Sequence, residues 1–126
     1  MVPFYPLEPL TAFWSTQFPE GPAWVAEQNG QIVGFCARSE DSVSGLYVSA
    51  GARCLGVGKA LLDLAKADRE FITVWSYQQN HRARAFYRRE GLVEIRREFE
   101  VLEDGSRLMD VEHRWTRPGC TSPVAK

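Results

Sequence analysis

The sequence has no marked excess of charge of either sign and no long hydrophobic run. Fifteen lysines and arginines face sixteen aspartates and glutamates, which gives a formal net charge of -1. Nucleic acids and anionic membranes select basic surfaces, so this balance argues against either as the main partner. No apolar segment approaches the roughly 20 residues that a membrane-spanning helix needs. We therefore expect a protein that binds neither nucleic acid nor a membrane.

Cysteine and histidine are also scarce. The three cysteines are Cys36, Cys54 and Cys120. Their odd number and irregular spacing are typical of a reducing compartment rather than of a disulfide framework. The two histidines, His81 and His113, are distant in sequence from each other and from any cysteine pair, so we expect no metal site. Residues 1–10 do not resemble a secretory signal peptide, and we expect a cytoplasmic protein.

The sequence is rich instead in short strand and helix patterns, within a length that suits one domain. Residues 1–22 contain many prolines and aromatics and form a preface to the domain. Within the preface, the spacing of Leu10, Phe13 and Trp14 predicts a short helix over residues 10–18. We expect the domain itself to occupy residues 23–116, followed by a loose tail at residues 117–126.

The domain pattern predicts eight elements. They are strands at residues 23–27, 31–38 and 43–49, a helix at 57–67, a strand at 71–75, a helix at 80–89, and two strands at 93–101 and 109–115. Asn29-Gly30 and Asp104-Gly105 predict tight hairpin turns. The order β-β-β-α-β-α-β-β indicates an α+β fold with a mixed, mainly antiparallel twisted sheet flanked by helices.

A glycine-rich turn joins the third of these strands to the first helix. Gly51, Gly56 and Gly58 allow a backbone to approach a ligand closely. The helix start that follows presents unpaired N–H groups and a partial positive charge, and Arg53 and Lys59 add two cations. The turn therefore predicts a cradle for a phosphate or a pyrophosphate.

Two widespread phosphate motifs do not match this turn. A P-loop requires Ser or Thr after Gly-Lys, whereas Ala60 follows Lys59 here. A dinucleotide fingerprint requires a third glycine where Leu61 stands, and a parallel sheet of repeated βαβ units. Both motifs are excluded.

Three segments together resemble the GNAT family of N-acetyltransferases. Residues 53–58 resemble its Arg/Gln-x-x-Gly-x-Gly/Ala pyrophosphate motif, and residues 80–92 resemble its Asn-x-x-Ala-x-x-Phe-Tyr-x-x-x-Gly-Phe segment, with Leu92 for the last Phe. Residues 46–48 resemble the strand that pairs with the pantetheine arm, and the hairpin at residues 24–35 also matches. The resemblance covers about residues 23–115.

The resemblance implies a direct transfer of an acetyl group from acetyl-CoA to a primary amine of a small molecule or a peptide. It implies that the residues binding acetyl-CoA are Leu46, Tyr47, Val48, Arg53, Cys54, Leu55, Gly56, Val57, Gly58, Lys59, Asn80 and Tyr87. Two of these residues have a second interpretation. Asn80 is a good helix N-cap, and Tyr87 beside Phe86 suits helix packing.

Proton transfer requires residues that the motifs identify less directly. A tyrosine hydroxyl suits the leaving thiolate, so the resemblance assigns Tyr87 as the acid. Many family members place a glutamate early on the strand before the cradle. That position corresponds to the region of Ser42, where Glu40 and Asp41 are candidate bases, and Glu27 on the neighbouring hairpin is another candidate. Deprotonation of the amine through ordered water is an equal alternative.

One departure from the family pattern concerns the acceptor side. The family usually begins with a strand and one or two helices that form a wall of the acceptor site, whereas about 22 residues precede the first hairpin predicted here. We expect this wall to be open or to be completed by a second subunit in a homodimer. The alternative function is a non-catalytic module that binds CoA or another protein.

Overall fold

The computed structural model describes residues 11–52 and 56–119. The chain divides into two compact units, Met1–Arg69 and Glu70–Lys126, and each is described by itself. The first unit contains strands β1 (Thr11–Phe18), β2 (Gly21–Gln28), β3 (Gln31–Ser39) and β4 (Ser42–Val48), a 3-10 turn (Ala50–Ala52) and helix α1 (Val57–Lys66). The second contains strands β5 (Phe71–Tyr77), β6 (Val93–Val101) and β7 (Arg107–Thr116), with helix α2 (His81–Arg89) after β5.

The four strands of the first unit form an antiparallel meander in chain order. The hairpin predicted at Asn29-Gly30 is confirmed: both residues have positive φ, 54° and 78°, and they link β2 directly to β3. Positive φ at both central positions defines the turn type whose twist matches that of the flanking strands. The sequence therefore determined this part of the sheet locally.

The helix predicted over residues 10–18 is wrong, because Thr11–Phe18 forms strand β1. All eight residues of β1 pair with β2 across a turn of two residues, Pro19 and Glu20. The segment is rich in threonine and aromatic residues, which favour strands, and the nearby β2 completes their backbone hydrogen bonds. Phe13 is buried on one face and Trp14 is exposed on the other, as the alternation of a strand requires.

Helix α1 packs on one face of this sheet, which we call the inner face. The predicted helix is confirmed, and its buried side chains are Val57, Ala60, Leu61, Leu62 and Ala65. Gly34 of β3 lies beneath the start of α1. A Cβ atom at Gly34 would lie 2.9 Å from the Tyr47 carbonyl oxygen and 3.1 Å from side-chain atoms of both Val57 and Leu61. The missing side chain therefore lets α1 approach the sheet closely.

A buried arginine anchors the other end of α1 to the inner face. Arg38 of β3 donates a hydrogen bond to the carbonyl oxygen of Ala65 in the last turn of the helix. Its guanidinium also donates to both carboxylate oxygens of Asp68, at 2.7 and 3.3 Å, and lies 5.4 Å from the ring centroid of Trp24. The cation thus satisfies a helix-terminal carbonyl that has no partner within the helix.

In the second unit, β7 lies between β5 and β6 and pairs antiparallel with both. The hairpin predicted around Asp104-Gly105 is confirmed, with Gly105 at φ 88°. The register of β6 shifts between Glu94 and Arg96, so Ile95 has no partner residue on β7. This bulge changes the face that the following residues of β6 occupy.

Helix α2 has both of the ends that the sequence predicts. The Asn80 side chain accepts a hydrogen bond from the Ala83 N–H at 3.1 Å, which makes it the N-cap. At the other end Gly91 has φ 91°, and the N–H groups of Gly91 and Leu92 donate to the carbonyls of Arg88 and Tyr87. These two bonds form a Schellman motif, in which a glycine with positive φ ends the helix.

Candidate functional site

The start of α1 contains the described part of the predicted cradle. Gly56 has φ 83° and its carbonyl oxygen accepts the first helical hydrogen bond, from the Ala60 N–H at 3.0 Å. The first N–H groups of any helix have no partner four residues earlier, so those of Val57 and Gly58 point out of the helix end. The first turn contains no acidic side chain. This arrangement suits an anion.

Lysine 59 adds a positive charge to this turn. Lys59 Nζ lies 3.3 Å from Asp63 Oδ2, one helical turn further along, in a pair on the helix surface. The remaining predicted cradle residues, Arg53, Cys54 and Leu55, lie outside the described residues. Within the described residues, the cradle therefore consists of backbone N–H groups, with Lys59 beside them.

Strand β4, which precedes the cradle, contains the predicted pantetheine-pairing residues. The pairing of β4 with β3 shifts between Ala37 and Arg38, which leaves Ser44 as an extra residue on β4. Beyond this bulge, Leu46 and Val48 are half-buried and Tyr47 is exposed. These three residues lie at the end of β4 that leads to α1.

The two candidate bases lie at opposite ends of the same sheet. Glu27 pairs with Ile32 near the start of β3, and its Oε1 accepts a hydrogen bond from Trp14 Nε1 at 3.0 Å. Asp41 follows the end of β3 and accepts a hydrogen bond from Arg69 Nη1 at 3.2 Å. Because β3 separates them, the two carboxylates do not act on the same proton. Glu27 lies at the end where β4 leads to α1.

In the second unit, α2 presents both predicted residues, Asn80 and Tyr87. Asn80 serves as the helix cap, as described above. Tyr87 is buried, with its ring centroid 5.5 Å from that of Phe86 and 5.2 Å from that of His113. The packing role predicted for Tyr87 is therefore present, and its catalytic role remains a prediction.

His113 is completely buried in β7 beside Tyr87. Neither of its ring nitrogens makes a hydrogen bond of normal geometry to the described residues. Burial lowers the pKa of His113 below its ordinary value, against the opposing attraction of Glu94, whose Oε2 lies 3.7 Å from Nε2. The imidazole next to Tyr87 is therefore held in its neutral form.

Glu94 is the centre of a charged cluster on this unit. Arg84 donates two hydrogen bonds to Glu94 Oε2, at 2.8 and 3.0 Å, and Arg97 donates to Oε1 at 3.1 Å. The hydrogen bonds from Arg84 and Arg97 lower the pKa of Glu94, so it stays ionised. These bonds connect Arg84 of α2 to Glu94 of β6, next to His113, which contacts Tyr87.

Sequence reasoning missed the roles of Gly34 and His113, although each had a signal. A glycine inside a strand often marks a close approach of another backbone, and Gly34 is such a glycine. His113 occupies the apolar side of the alternation that Val111 and Trp115 define. The sequence did not indicate which element would cover either residue.

A family model supports the assignment that this geometry suggests. Residues 19–94, more than half of the chain, match the acetyltransferase (GNAT) domain. The chain belongs to this family. The predicted resemblance is therefore confirmed.

One relative, YjaB, matches this chain in both sequence and structure. The peptidyl-lysine N-acetyltransferase YjaB of Escherichia coli (strain K12) is 34% identical over 74 residues, which are 58% of this chain and 50% of YjaB. The solution structure of apo YjaB matches with a TM-score of 0.67 at 29% identity, over 79% of this chain and 67% of that one. The chain thus spans about half the length of the curated relative in the sequence match.

Two further solved structures share the fold at lower identity. A Bacillus anthracis acetyltransferase in complex with acetyl coenzyme A has a TM-score of 0.65 at 23% identity, over 79% of this chain and 64% of that one. The IAA acetyltransferase of Bacillus cereus ATCC 14579 has a TM-score of 0.66 at 16% identity, over 84% and 99%. These likenesses confirm the predicted α+β fold class.

Two features are absent from the described residues. None of their helices has the length and apolar character to cross a membrane. Nor do three or more His, Cys, Asp or Glu side chains among them gather as metal ligands. The one cysteine in the described ranges, Cys36, is buried and unpaired, and burial raises its pKa to about 12.

Proposed function

We propose that this chain is an N-acetyltransferase that passes an acetyl group from acetyl-CoA to a primary amine by direct attack. The observation that carries the proposal is the start of α1. There the family motif coincides with helix N–H groups that have no partner within the helix, a glycine at positive φ and a first turn free of acidic side chains. A diphosphate requires such N–H donors, and a nearby carboxylate would repel it.

The residues present at this turn fit the pyrophosphate of CoA. Gly56 and Gly58 add no side chain that would cover the N–H groups, and Lys59 contributes a positive charge beside them. We assign Arg53, Cys54 and Leu55 to the same cradle from the motif alone. Leu46, Tyr47 and Val48 are assigned to the pantetheine arm, as the family pattern implies.

Bound acetyl-CoA would supply the thioester, and the residues of the chain would move the protons. We assign Glu27, directly or through water, to remove the proton of the attacking amine, since it lies at the end of the sheet where α1 starts. Asp41 is the weaker candidate because it lies at the other end and is paired with Arg69. Tyr87 is assigned to donate a proton to the departing sulfur.

The proposed acceptor is the primary amine of a small molecule or of a peptide. YjaB is named a peptidyl-lysine N-acetyltransferase, so lysine side chains in peptides are the first acceptors to test, followed by small amines. A homodimer and a cytoplasmic location remain predictions from the sequence.

The first test is calorimetric titration of the wild-type chain and of Gly58→Glu with acetyl-CoA. Glutamate suits the second position of a helix better than glycine and interacts favourably with the helix N-terminus, so the variant should fold at least as well. Its carboxylate should repel the pyrophosphate and weaken binding by about 100-fold or more. Gly58 is preferable to Gly56 here, because a side chain at φ 83° would be strained.

Gln17→Glu is the matched control, since it adds the same charge at an exposed position of β1. It should bind acetyl-CoA like the wild type. If Gly58→Glu also binds normally, the cradle lies elsewhere. If the folded wild type binds no acetyl-CoA, the chain is a non-catalytic module with the GNAT fold. Binding followed by turnover with an amine supports the enzyme, and Tyr87→Phe should then lower turnover more than affinity.

A further inference from the structure

The outer face of the first unit's sheet, opposite α1, exposes a row of large apolar side chains. Trp14, Val25, Phe35 and Tyr47 are directly opposed on successive strands, so they form one line across all four. Side chains opposite each other on adjacent strands share a face. Trp14 is 45% exposed, Phe35 40% and Tyr47 51%, and Ile32 on the same face is 65% exposed.

A second row, of small residues, lies beside this line. Its members on β1 to β4 are Thr16, Ala23, Ala37 and Gly45. The face therefore consists of a ridge of large side chains next to a low strip. Sheets pack about 10 Å apart when large and small residues of the two faces interdigitate. A second copy, rotated by a twofold axis, could place its ridge over this strip.

The two rows contain no charged residue. A twofold contact packs the same patch of two copies together, so two rows without charged residues meet without like-charge repulsion. On the same face, the carboxylate of Glu27 is hydrogen-bonded to the Trp14 indole. The charge pattern therefore permits a contact between identical faces.

The exposed area also approaches what such a contact requires. Half-exposed aromatics on this face, with Ile32, leave on the order of 500 Å² of apolar surface in water. That is at the upper end of the largest patch on a typical monomer. It is also more than half of the roughly 800 Å² that each partner contributes to a standard interface. The polar rim of the sheet would supply the rest.

The chain connects β1 to β2 through Pro19 and Glu20 alone, so no helix lies between residues 11 and 28. The wall of one or two helices that the family usually places before its hairpin is absent from this stretch. We propose that the outer face of the β1–β4 sheet is a homodimer interface, in which each copy covers the other's row of Trp14, Val25, Phe35 and Tyr47. Tyr47 of this row is also assigned to the pantetheine arm, and Glu27 is bonded to Trp14, so the oligomeric state is measured separately from acetyl transfer.

Sedimentation velocity of the full chain, over about 1 to 100 µM, tests the interface because dimer populations depend on concentration. The wild type should dimerise within this range. Phe35→Lys should weaken the dimer by about 100-fold or more, because it buries an unpaired charge in each half of the contact. Salt screens charges but not apolar contacts, so the wild-type dimer should persist in about 1 M NaCl.

Phe99→Lys is the control, since Phe99 is an exposed aromatic on β6 and lies outside this face. It should dimerise like the wild type. Circular dichroism verifies that each variant folds, and Ile32→Lys on the rim of the face replaces Phe35→Lys if the latter does not fold. A monomeric wild type would overturn the proposal. Residues 1–10 or another protein would then be the candidates to cover the outer face. Dimers that survive the face variants would also overturn it.

Discussion

The two units present their candidate functional groups in different ways. In the first unit the groups are backbone N–H donors at the start of α1, and their position depends on how closely α1 packs over Gly34. In the second unit they are the side chains of Asn80 and Tyr87 on α2, held by a cap and by ring contacts. We therefore expect packing changes to disturb the first unit most, and changes of single side-chain atoms or of pH to disturb the second unit most.

The largest effect is expected from Gly34→Ala. The new methyl group would lie within 2.9 Å of the Tyr47 carbonyl oxygen and 3.1 Å of both Val57 and Leu61, so α1 or the sheet must shift. We expect a loss of about 1–3 kcal/mol in the free energy of unfolding, measured by urea denaturation. Weaker acetyl-CoA binding should accompany it.

Gly45→Ala is the matched control on the outer face of the same sheet. Its methyl group would meet only the Phe35 ring, at an ordinary contact distance of 3.5 Å. The free energy of unfolding should stay within about 0.5 kcal/mol of the wild type. Equal losses in both variants would show that glycine in these strands matters for backbone reasons and not for the approach of α1.

The next effect concerns the cap of α2. Asn80→Ala removes the acceptor for the Ala83 N–H and should cost about 1 kcal/mol of stability. Asn80→Ser should restore most of it, because serine also caps helices. If acetyl-CoA affinity stays low in the folded Asn80→Ser variant, Asn80 has a role besides the cap. If affinity returns with stability, the cap is its whole role.

A smaller effect should appear as a pH dependence of stability. The pKa of His113 is lowered from 6.5 by burial, so the unfolded chain takes up a proton at a higher pH than the folded one. The contribution of His113 is therefore complete above about pH 6.5 and is lost as the pH falls from there toward the lowered pKa. Urea unfolding from pH 5 to pH 8 should show this decline.

Two variants separate His113 from other titrating groups. His113→Met removes the imidazole and should flatten the stability profile below about pH 6.5. His81→Gln, at an exposed position of α2, should keep the slope of the wild type. An unchanged slope in His113→Met would contradict the assignment of this pH dependence to His113.

The smallest effect is expected at the exposed carboxylate of Asp68 in the first unit. Hydrogen bonding from Arg38 lowers the pKa of Asp68 below its ordinary 3.8. Its contribution to stability is therefore present above about pH 4 and is lost as the pH falls through the lowered pKa. Asp68→Asn should be slightly less stable than the wild type at neutral pH and equal to it in acid. A constant difference would exclude the ion pair as the cause.

Most of the secondary structure was predictable from local patterns. Both helices, the four strands predicted between residues 23 and 75 and the final hairpin occur where the sequence predicts them, with ends moved by at most two residues. The strand β1 was not predicted, because Leu10, Phe13 and Trp14 have helical spacing and a segment of nine residues suits either a helix or a strand. Pairing with β2 makes this segment a strand. The spacing of apolar residues within the segment carries no information about β2.

The candidate site was predictable where a motif identifies a residue. The start of α1 at Val57 and the cap at Asn80 follow from residue types at single positions. The pairing of Asp41 with Arg69 and the contact of Tyr87 with His113 do not, because each joins residues more than 25 positions apart. Local sequence patterns do not contain such distances.

The sequence alone determined the family, the order of most elements and the turns, because motifs, glycines and caps act within a few residues. The tertiary structure decided which face of each strand is covered. Alternation in β3 separates Gly34 from Phe35 but does not indicate that α1 packs over Gly34 and leaves Phe35 exposed. That choice depends on the space available at Gly34 for a helix more than twenty residues later in the chain, and only the folded packing defines that space.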